Sequence, residues 1–334
     1  MSAPAPESST PTELPGATRL KLRDLFSREE IAELTARSDA RGAWAVAFVW
    51  ITIALTFAAL AAWPSVLTFV VAVFVLGSRQ LALAILGHEA AHRTLFRTSA
   101  LNDGLTDWLC ARPVWQDIPR YREHHFRHHM HTGTDRDPDT SLVTPFPTTR
   151  RSLAKKVLRD LTGQTGLRRL AAQVLMDIGV FGYTVAAKVD VRPRDGRRWL
   201  DYAREGIANT WRVAVANLVL FGVLWACGIG WTYVAWVVAW LTTFSLFIRI
   251  RSIAEHACLE RVPDMFRNTR TTRAGWLARA TVAPFNVNYH LEHHVMASVP
   301  YFRLPRLHAL LRERQVIAPA PGYVEVLRTA GGKT

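Results

Sequence analysis

Cysteine is scarce in this 334-residue chain, which holds only Cys110, Cys227 and Cys258. Three widely spaced cysteines, one of them inside an apolar run, indicate no disulfide framework and fit a reducing, cytoplasmic environment. The sequence also lacks CxxC pairs, the GxGxxG fingerprint of dinucleotide-binding folds and an appended haem domain. The chain therefore carries no recognisable electron-transfer module of its own.

Charge of either sign is nearly absent from four long apolar stretches. The formal net charge is +14, since 41 Lys and Arg outnumber 27 Asp and Glu, and 49% of the residues are hydrophobic. The arginines flank or separate the apolar stretches, which is the distribution that the positive-inside rule predicts for a membrane protein. No nucleic-acid-binding motif accompanies the basic charge, so we expect a membrane protein with no nucleic-acid partner.

The four apolar stretches predict four transmembrane helices. At ~1.5 Å per residue, the uncharged stretch 43–63 covers about 30 Å, the thickness of a bilayer core. Short uncharged turns at Pro64 and Gly228 join the stretches in pairs, and the Lys/Arg bias places both termini and the segment 93–210 in the cytoplasm. We expect an all-α integral membrane protein, with two hairpins and a cytoplasmic helical cap, built on the stretches 43–63, 66–86, 211–228 and 231–248.

Polar segments flank the predicted spans. Residues 1–18 lack the basic start and apolar run of a signal peptide, and their Pro, Ser, Thr and Glu content predicts a disordered tail. The capping box that Ser27 forms with Glu30 predicts a short cytoplasmic helix that ends near Gly42. The interrupted apolar stretch 170–187 predicts an interfacial helix. We expect a tail and a helix over 1–42, a membrane domain over 43–315 and a C-terminal tail over 316–334.

Nine of the twelve histidines form the most informative pattern in the sequence. Histidines spaced i, i+3 and i+4 fall on one face of a helix, and neutral imidazole is the commonest side-chain ligand for transition metals. The histidines form three clusters, and the even number of spans brings all three to the same membrane face. The first cluster is His88 with His92, the second is the HxxHH segment 125–129, and the third is the HxxHH segment 290–294. Eight or nine imidazoles can hold two metal ions, and the candidate ligands are His88, His92, His125, His128, His129, His256, His290, His293 and His294.

The other three histidines are expected to be ordinary surface or core residues. They are His124, His131 and His308. The first two flank the second cluster and could support its ligands through hydrogen bonds. His256 is isolated in sequence, but it lies about one turn beyond the fourth apolar stretch, at a depth from which it can reach the metal site.

The segment from His88 to His92 reads HEAAH, which also matches the HExxH pattern of zinc metalloproteases. In such an enzyme Glu89 would act as the general base. A single tetrahedral zinc cannot use two further HxxHH clusters, so the sequence favours a two-metal site. Glu89 is then expected to accept a hydrogen bond from a ligand N–H or to face another helix.

The combination of HEAAH, HHFRHH and HLEHH with paired apolar stretches resembles the integral-membrane fatty acid desaturase family. The resemblance covers about residues 43–315. It implies that the eight clustered histidines, with His256 as a ninth, ligate a non-haem di-iron centre that uses O2 as co-substrate. Ser252 stands where acyl-CoA desaturases of the family have an Asn that binds the metal through water, so the resemblance is weaker for the acyl-CoA subtype. Further matching segments are Tyr121-Arg122, Asp137-Pro138-Asp139, Glu255-His256 and Asn288-Tyr289.

The resemblance implies an oxidoreductase that introduces a double bond into a fatty acyl lipid or thioester. Because the chain has no electron-transfer module, we expect an external carrier, a ferredoxin or a cytochrome b5-like protein, with its reductase. The basic cytoplasmic face would attract an acidic carrier. The excess of Arg over Lys and the high Ala content suggest a GC-rich bacterial gene and hence the bacterial inner membrane.

Two alternatives remain open from the sequence. Similar histidine boxes serve lipid hydroxylases and carotenoid ketolases or hydroxylases, so an oxygen-inserting enzyme of the same di-iron class is the nearer one. An HExxH zinc intramembrane protease is the more distant one. A metal transporter would need ionisable groups well inside the spans, where Arg79 occurs and where Arg212 lies only at the edge of the third stretch.

Overall fold

The computed structural model describes residues 25–186, 188–194 and 196–333. Within these ranges the regular structure is helical, and β pairing is confined to isolated bridges, which confirms the predicted all-α class. The tail predicted over 1–18 lies outside the described residues. The described α-helices are α1 (Arg28–Leu34), α2 (Asp39–Ala62), α3 (Val66–Ala91), α4 (Ile118–His131), α5 (Thr140–Val143), α6 (Arg150–Leu161), α7 (Gln164–Asp177), α8 (Trp199–Ala226), α9 (Tyr233–Leu241), α10 (Thr243–His256), α11 (Met265–Asn268), α12 (Trp276–Ala280), α13 (His290–Val295), α14 (Leu304–Glu313) and α15 (Tyr323–Ala330).

Among the described residues, four helical segments are long and apolar enough to cross a membrane. They differ strongly in how much of their surface the protein covers, because α3 is mostly buried whereas α8 is mostly exposed. Helix α3 packs against α2, α4, α9 and α10, so it occupies the centre of the bundle. The four segments are Arg28–Ala62, Val66–Ala91, Trp199–Ala226 and Gly230–His256.

The first helix is shorter than the sequence predicts. Ser27 caps α1 as expected, and its hydroxyl accepts the backbone N–H of Glu30. Helix α1 ends at Leu34 rather than near Gly42, because Ser38 caps a new helix that continues into the first span. Gly42 lies inside that helix, where a Cβ would come within 2.5 Å of the Leu95 carbonyl oxygen. The glycine therefore permits a close backbone approach instead of ending a helix.

The fourth span is broken at Thr242, which the sequence did not predict. Thr242 has φ −113° and ψ −88°, and it separates α9 from α10. Gly166 of α7 approaches the break so closely that a Cβ would lie 2.1 Å from the Leu241 carbonyl oxygen. Arg169 Nη2 donates a 2.5 Å hydrogen bond to the Trp240 carbonyl oxygen. A basic side chain thus satisfies a carbonyl group beside the break in the helix.

The prediction of one interfacial helix over 170–187 was wrong in its bounds. Helix α7 covers Gln164–Asp177. The buried Asp177 accepts hydrogen bonds from Trp115 and Arg120. Gly179 follows with a positive φ of 77°, which ends the helix. The described residues between Asp177 and α8 form no further helix. In the C-terminal part, α15 packs against α10.

Candidate metal centre

The first histidine cluster lies at the end of α3. His88 is buried in the last turn of this helix, and His92 is its C-cap residue. The spacing of four residues places both rings on one side, with ring centroids 5.1 Å apart. The central helix of the bundle therefore delivers two imidazoles directly where the second span ends.

The second cluster is carried by α4. Asp117 caps this helix by accepting the Arg120 N–H, and a proline in its first turn suits a helix start. His125 and His128 are buried, and His129 is half-buried. Their spacing of three and four residues turns all three rings toward α3 and the third cluster.

The third cluster lies on α13, a helix of only six residues that carries three buried histidines. The ninth histidine, His256, is the last residue of α10 and ends the fourth span. Its Nε2 atom lies 2.9 Å from Nε2 of His290. Four separate helix ends thus bring their histidines to one place.

The structure brings all nine predicted residues together and sorts them into two groups. Within each group the candidate ligand atoms lie within 4.8 Å of one another. Helices α4 and α13 each contribute to both groups. The first group consists of His88, His92, His125, His129 and His293, and the second group consists of His128, His256, His290 and His294.

The spacing of the ring nitrogens fits bound metal ions. Nε2 of His129 lies 3.0 Å from Nε2 of both His125 and His293, and Nε2 of His294 lies 3.2 Å from Nε2 of His290. With metal–nitrogen bonds of about 2.1 Å, two imidazoles at a right angle would hold their nitrogens about 3.0 Å apart. Several buried ring nitrogens, both of those of His88 among them, have no hydrogen-bond partner among the described residues. A metal ion bound to a ligand ring would satisfy one of its two nitrogens.

Burial keeps most of these imidazoles in the form that binds metal. It lowers the pKa of His92 to about 3. Burial, reinforced by neighbouring histidines, also lowers the pKa of the five rings His125, His129, His290, His293 and His294 well below its usual range. These rings are therefore neutral at pH 7, and a neutral imidazole offers a free lone pair to a metal.

His128 differs because acidic residues face it. Burial acts to lower its pKa, but the hydrogen bond with Asp137 and the charges of Asp139 and Asp137 outweigh burial and raise it. His128 Nδ1 lies 2.8 Å from Asp137 Oδ1. A ring whose Nδ1–H is held by a carboxylate presents Nε2 to a metal in a fixed orientation and as a stronger base.

A similar support orients His256. Its Nδ1 atom lies 3.1 Å from the Asn268 carbonyl oxygen. Glu255 Oε1 lies 3.4 Å from Nδ1 of His290 and accepts a 2.6 Å hydrogen bond from Arg251 Nε. Neither Asp137 nor Asn268 was predicted to support a ligand ring. The position of Asp137 shortly after the second cluster could have indicated its contact with His128, whereas the sequence does not show which backbone carbonyl will face His256.

Glu89 does not occupy the position of a protease base. Its Oε2 atom accepts hydrogen bonds from the Tyr301 backbone N–H at 2.9 Å and from Thr94 Oγ1 at 3.0 Å. Its Oε1 atom lies 3.7 Å from His88 Nδ1, beyond hydrogen-bond range. Of the two roles expected for Glu89, a hydrogen bond from a ligand N–H was therefore wrong, and the carboxylate instead accepts from the backbone of the turn at Tyr301.

The three histidines left out of the predicted ligand set lie outside both groups. His124 Nε2 lies 2.8 Å from Asp139 Oδ1, and His308 Nδ1 lies 2.6 Å from Glu292 Oε1. His131 has no side-chain hydrogen bond or ring contact with the described residues. Ser252 lies one turn before His256 on α10 and belongs to neither group.

Comparison with known proteins agrees with this geometry. Dihydrorhizobitoxine desaturase of Bradyrhizobium elkanii is 26% identical over 270 residues, which cover 78% of this chain and 71% of that protein. An sn-1 oleoyl-lipid 12-desaturase of Anabaena variabilis is 22% identical over 312 residues, which cover 88% and 82%. The family model described as "Fatty acid desaturase" matches residues 64–324. The chain therefore belongs to the fatty acid desaturase family and is an oxidoreductase.

Proposed function

We propose that this protein is an O2-dependent, di-iron desaturase that introduces a double bond into a fatty acyl chain. The observation that carries this proposal is the pair of adjacent histidine groups where two membrane-length helices end. Two groups of five and four nitrogen ligands suit a pair of transition-metal ions, whereas a single zinc would leave one group without a role. The family supports a lipid acyl substrate, and the name of the Anabaena relative refers to an acyl lipid.

The nine histidines would hold the two irons, five ligands on one and four on the other. When bound, the irons would supply a place where O2, the oxidant, is activated with electrons from the carrier to remove two hydrogens from an unactivated acyl chain. The group of four leaves more room for a further ligand than the group of five. Ser252 lies one turn before His256 and is a candidate to hold a water there.

The surrounding residues orient the ligands and exclude water. Asp137 and the Asn268 carbonyl fix the rings of His128 and His256. The Tyr121 ring stacks on His125, with centroids 5.2 Å apart and planes inclined by 11°. A dry, rigid site favours reaction with a bound chain over side reactions with solvent.

We propose that the spans form two hairpins, so that the metal centre and both termini face the cytoplasm and residues 43–315 form the membrane domain. The basic segments outside the spans support this orientation, in a bacterial inner membrane. Electrons would come from an external ferredoxin or cytochrome b5-like protein with its reductase. The basic face would attract an acidic carrier.

Expression in a host with a compatible ferredoxin, followed by mass spectrometry of the lipids, tests the proposal. We expect products that have lost two hydrogens, and about two iron atoms per chain, one for each histidine group. His293→Ala should abolish the product, whereas His131→Ala, outside both groups, should not. A gain of oxygen would instead identify a hydroxylase or ketolase of the same class, and one zinc per chain would favour the protease alternative.

A further inference from the structure

Helix α13 is too short to be stable alone. It has six residues, His290–Val295, and isolated helices shorter than ~12–15 residues are marginal in water. Yet it supplies His293 to the first group and both His290 and His294 to the second. Contacts outside the helix must therefore fix its position.

Glu292 provides such contacts. At about 100° per residue, its side chain leaves α13 on the side away from the three histidines. The side chain is fully buried, with 0% exposure. Oε2 accepts a hydrogen bond from Thr271 Oγ1, and Oε1 lies 2.6 Å from Nδ1 of His308 on α14. Both oxygens of this buried carboxylate are thus engaged, which offsets the cost of burying it.

Thr271 belongs to the segment 268–272, which also forms hydrogen bonds with the end of the fourth span. Within this segment the Asn268 carbonyl oxygen lies 3.1 Å from His256 Nδ1, and the Arg270 N–H donates to the Glu255 carbonyl oxygen at 2.9 Å. The Thr272 N–H donates to the Asn288 carbonyl oxygen at 3.0 Å, just before α13. Residues 268–272 therefore contact both His256 and α13, and they set the distance between His256 and the third cluster.

We propose that Glu292, together with His308 and Thr271, is a positioning network for the second metal ion. This inference rests on the proposed two-metal function. A displaced α13 would withdraw two of four ligands from the second group but only one of five from the first. Loss of the network should therefore weaken the second metal position selectively.

The test is metal binding by purified full-length protein, titrated with Co(II) and followed by absorption and by metal content per chain. His308→Leu removes the ring nitrogen that faces Glu292. We expect its second metal equivalent to bind about 10–100-fold more weakly, with the first unchanged. His308→Asn keeps an N–H donor near the Nδ1 position and should restore binding. His131→Leu, on a histidine without such contacts, is the matched control and should bind like the wild type.

Selective loss in His308→Leu with rescue in His308→Asn would support the network. If His308→Leu binds both metals as tightly as the wild type does, the network is overturned and the di-metal proposal stays intact. Loss of both metals together would also overturn it, since that result indicates a general contribution to folding. A wild-type protein that takes up only one metal would instead overturn the proposed function, and the network with it.

Discussion

Replacement of Gly166 by alanine tests how closely α7 must approach the fourth span. A Cβ at this position would lie 2.1 Å from the Leu241 carbonyl oxygen and 2.5 Å from its Cα. These are backbone atoms, so no side-chain rotation can relieve the contact. Carbon atoms in ordinary contact lie about 3.5–4.0 Å apart, and α7 must therefore move away from the break at Thr242 by about 1 Å.

The expected cost follows from what this movement disturbs. Overpacking of this kind costs about 1–3 kcal/mol, and the stretched hydrogen bond between Arg169 and Trp240 is worth about 1 kcal/mol. Alanine recovers about 1 kcal/mol over glycine in a helix. The free energy of unfolding should therefore fall by about 1–3 kcal/mol. Gly222 of α8 is the matched control, since nothing lies within 4 Å of its added Cβ.

Unfolding in detergent, followed by tryptophan fluorescence, measures the difference. We expect a lower midpoint for Gly166→Ala and an equal or higher midpoint for Gly222→Ala. The reasoning is refuted if Gly166→Ala matches the wild type to within about 0.5 kcal/mol, the usual range for a neutral surface substitution.

Three other predictions concern the metal centre and its partner. Asp137→Asn removes the charge that faces His128 Nδ1, so chelator competition should show about 10–100-fold weaker binding at the second group; unchanged affinity would contradict an orienting role. Burial holds the pKa of His92 at about 3 in the folded, metal-free protein, against about 6.5 in the unfolded chain. Between these values the unfolded chain binds more protons, so the metal-free protein should be less stable at about pH 5.5 than at about pH 7.5; equal unfolding midpoints would count against a buried neutral ring. With the carrier limiting, turnover should fall as ionic strength rises, and a rate indifferent to salt would argue against docking of an acidic carrier on a basic face.

The grouping of the nine histidines could be predicted because its signal is local. Spacings of three and four residues place imidazoles on one helix face, whatever the tertiary structure. An even number of apolar stretches then brings the faces to one side. His256, isolated in sequence, was placed by its distance from the end of the fourth stretch.

The supporting contacts could not be predicted, because they join residues far apart in the chain. His308 appears ordinary in sequence, and only the packing of α14 on α13 brings it to Glu292. The break at Thr242 lies beside Gly166 of another helix, a contact that sequence spacing does not indicate. Gly42 was interpreted as a helix stop, although the neighbouring Leu95 carbonyl gives this glycine a different role.

Helices α3 and α8 are both long and apolar enough to cross a membrane, but their surroundings are opposite. Residues 77–91 of α3 are buried without interruption, whereas α8 exposes Leu218, Val219 and Trp225. Random substitution of one apolar residue by another should therefore be accepted along most of α8 and rejected along the inner half of α3. Among descendants of this sequence, we therefore expect the third span to vary within the limits of hydrophobicity, and residues 77–91 of the second span to change little.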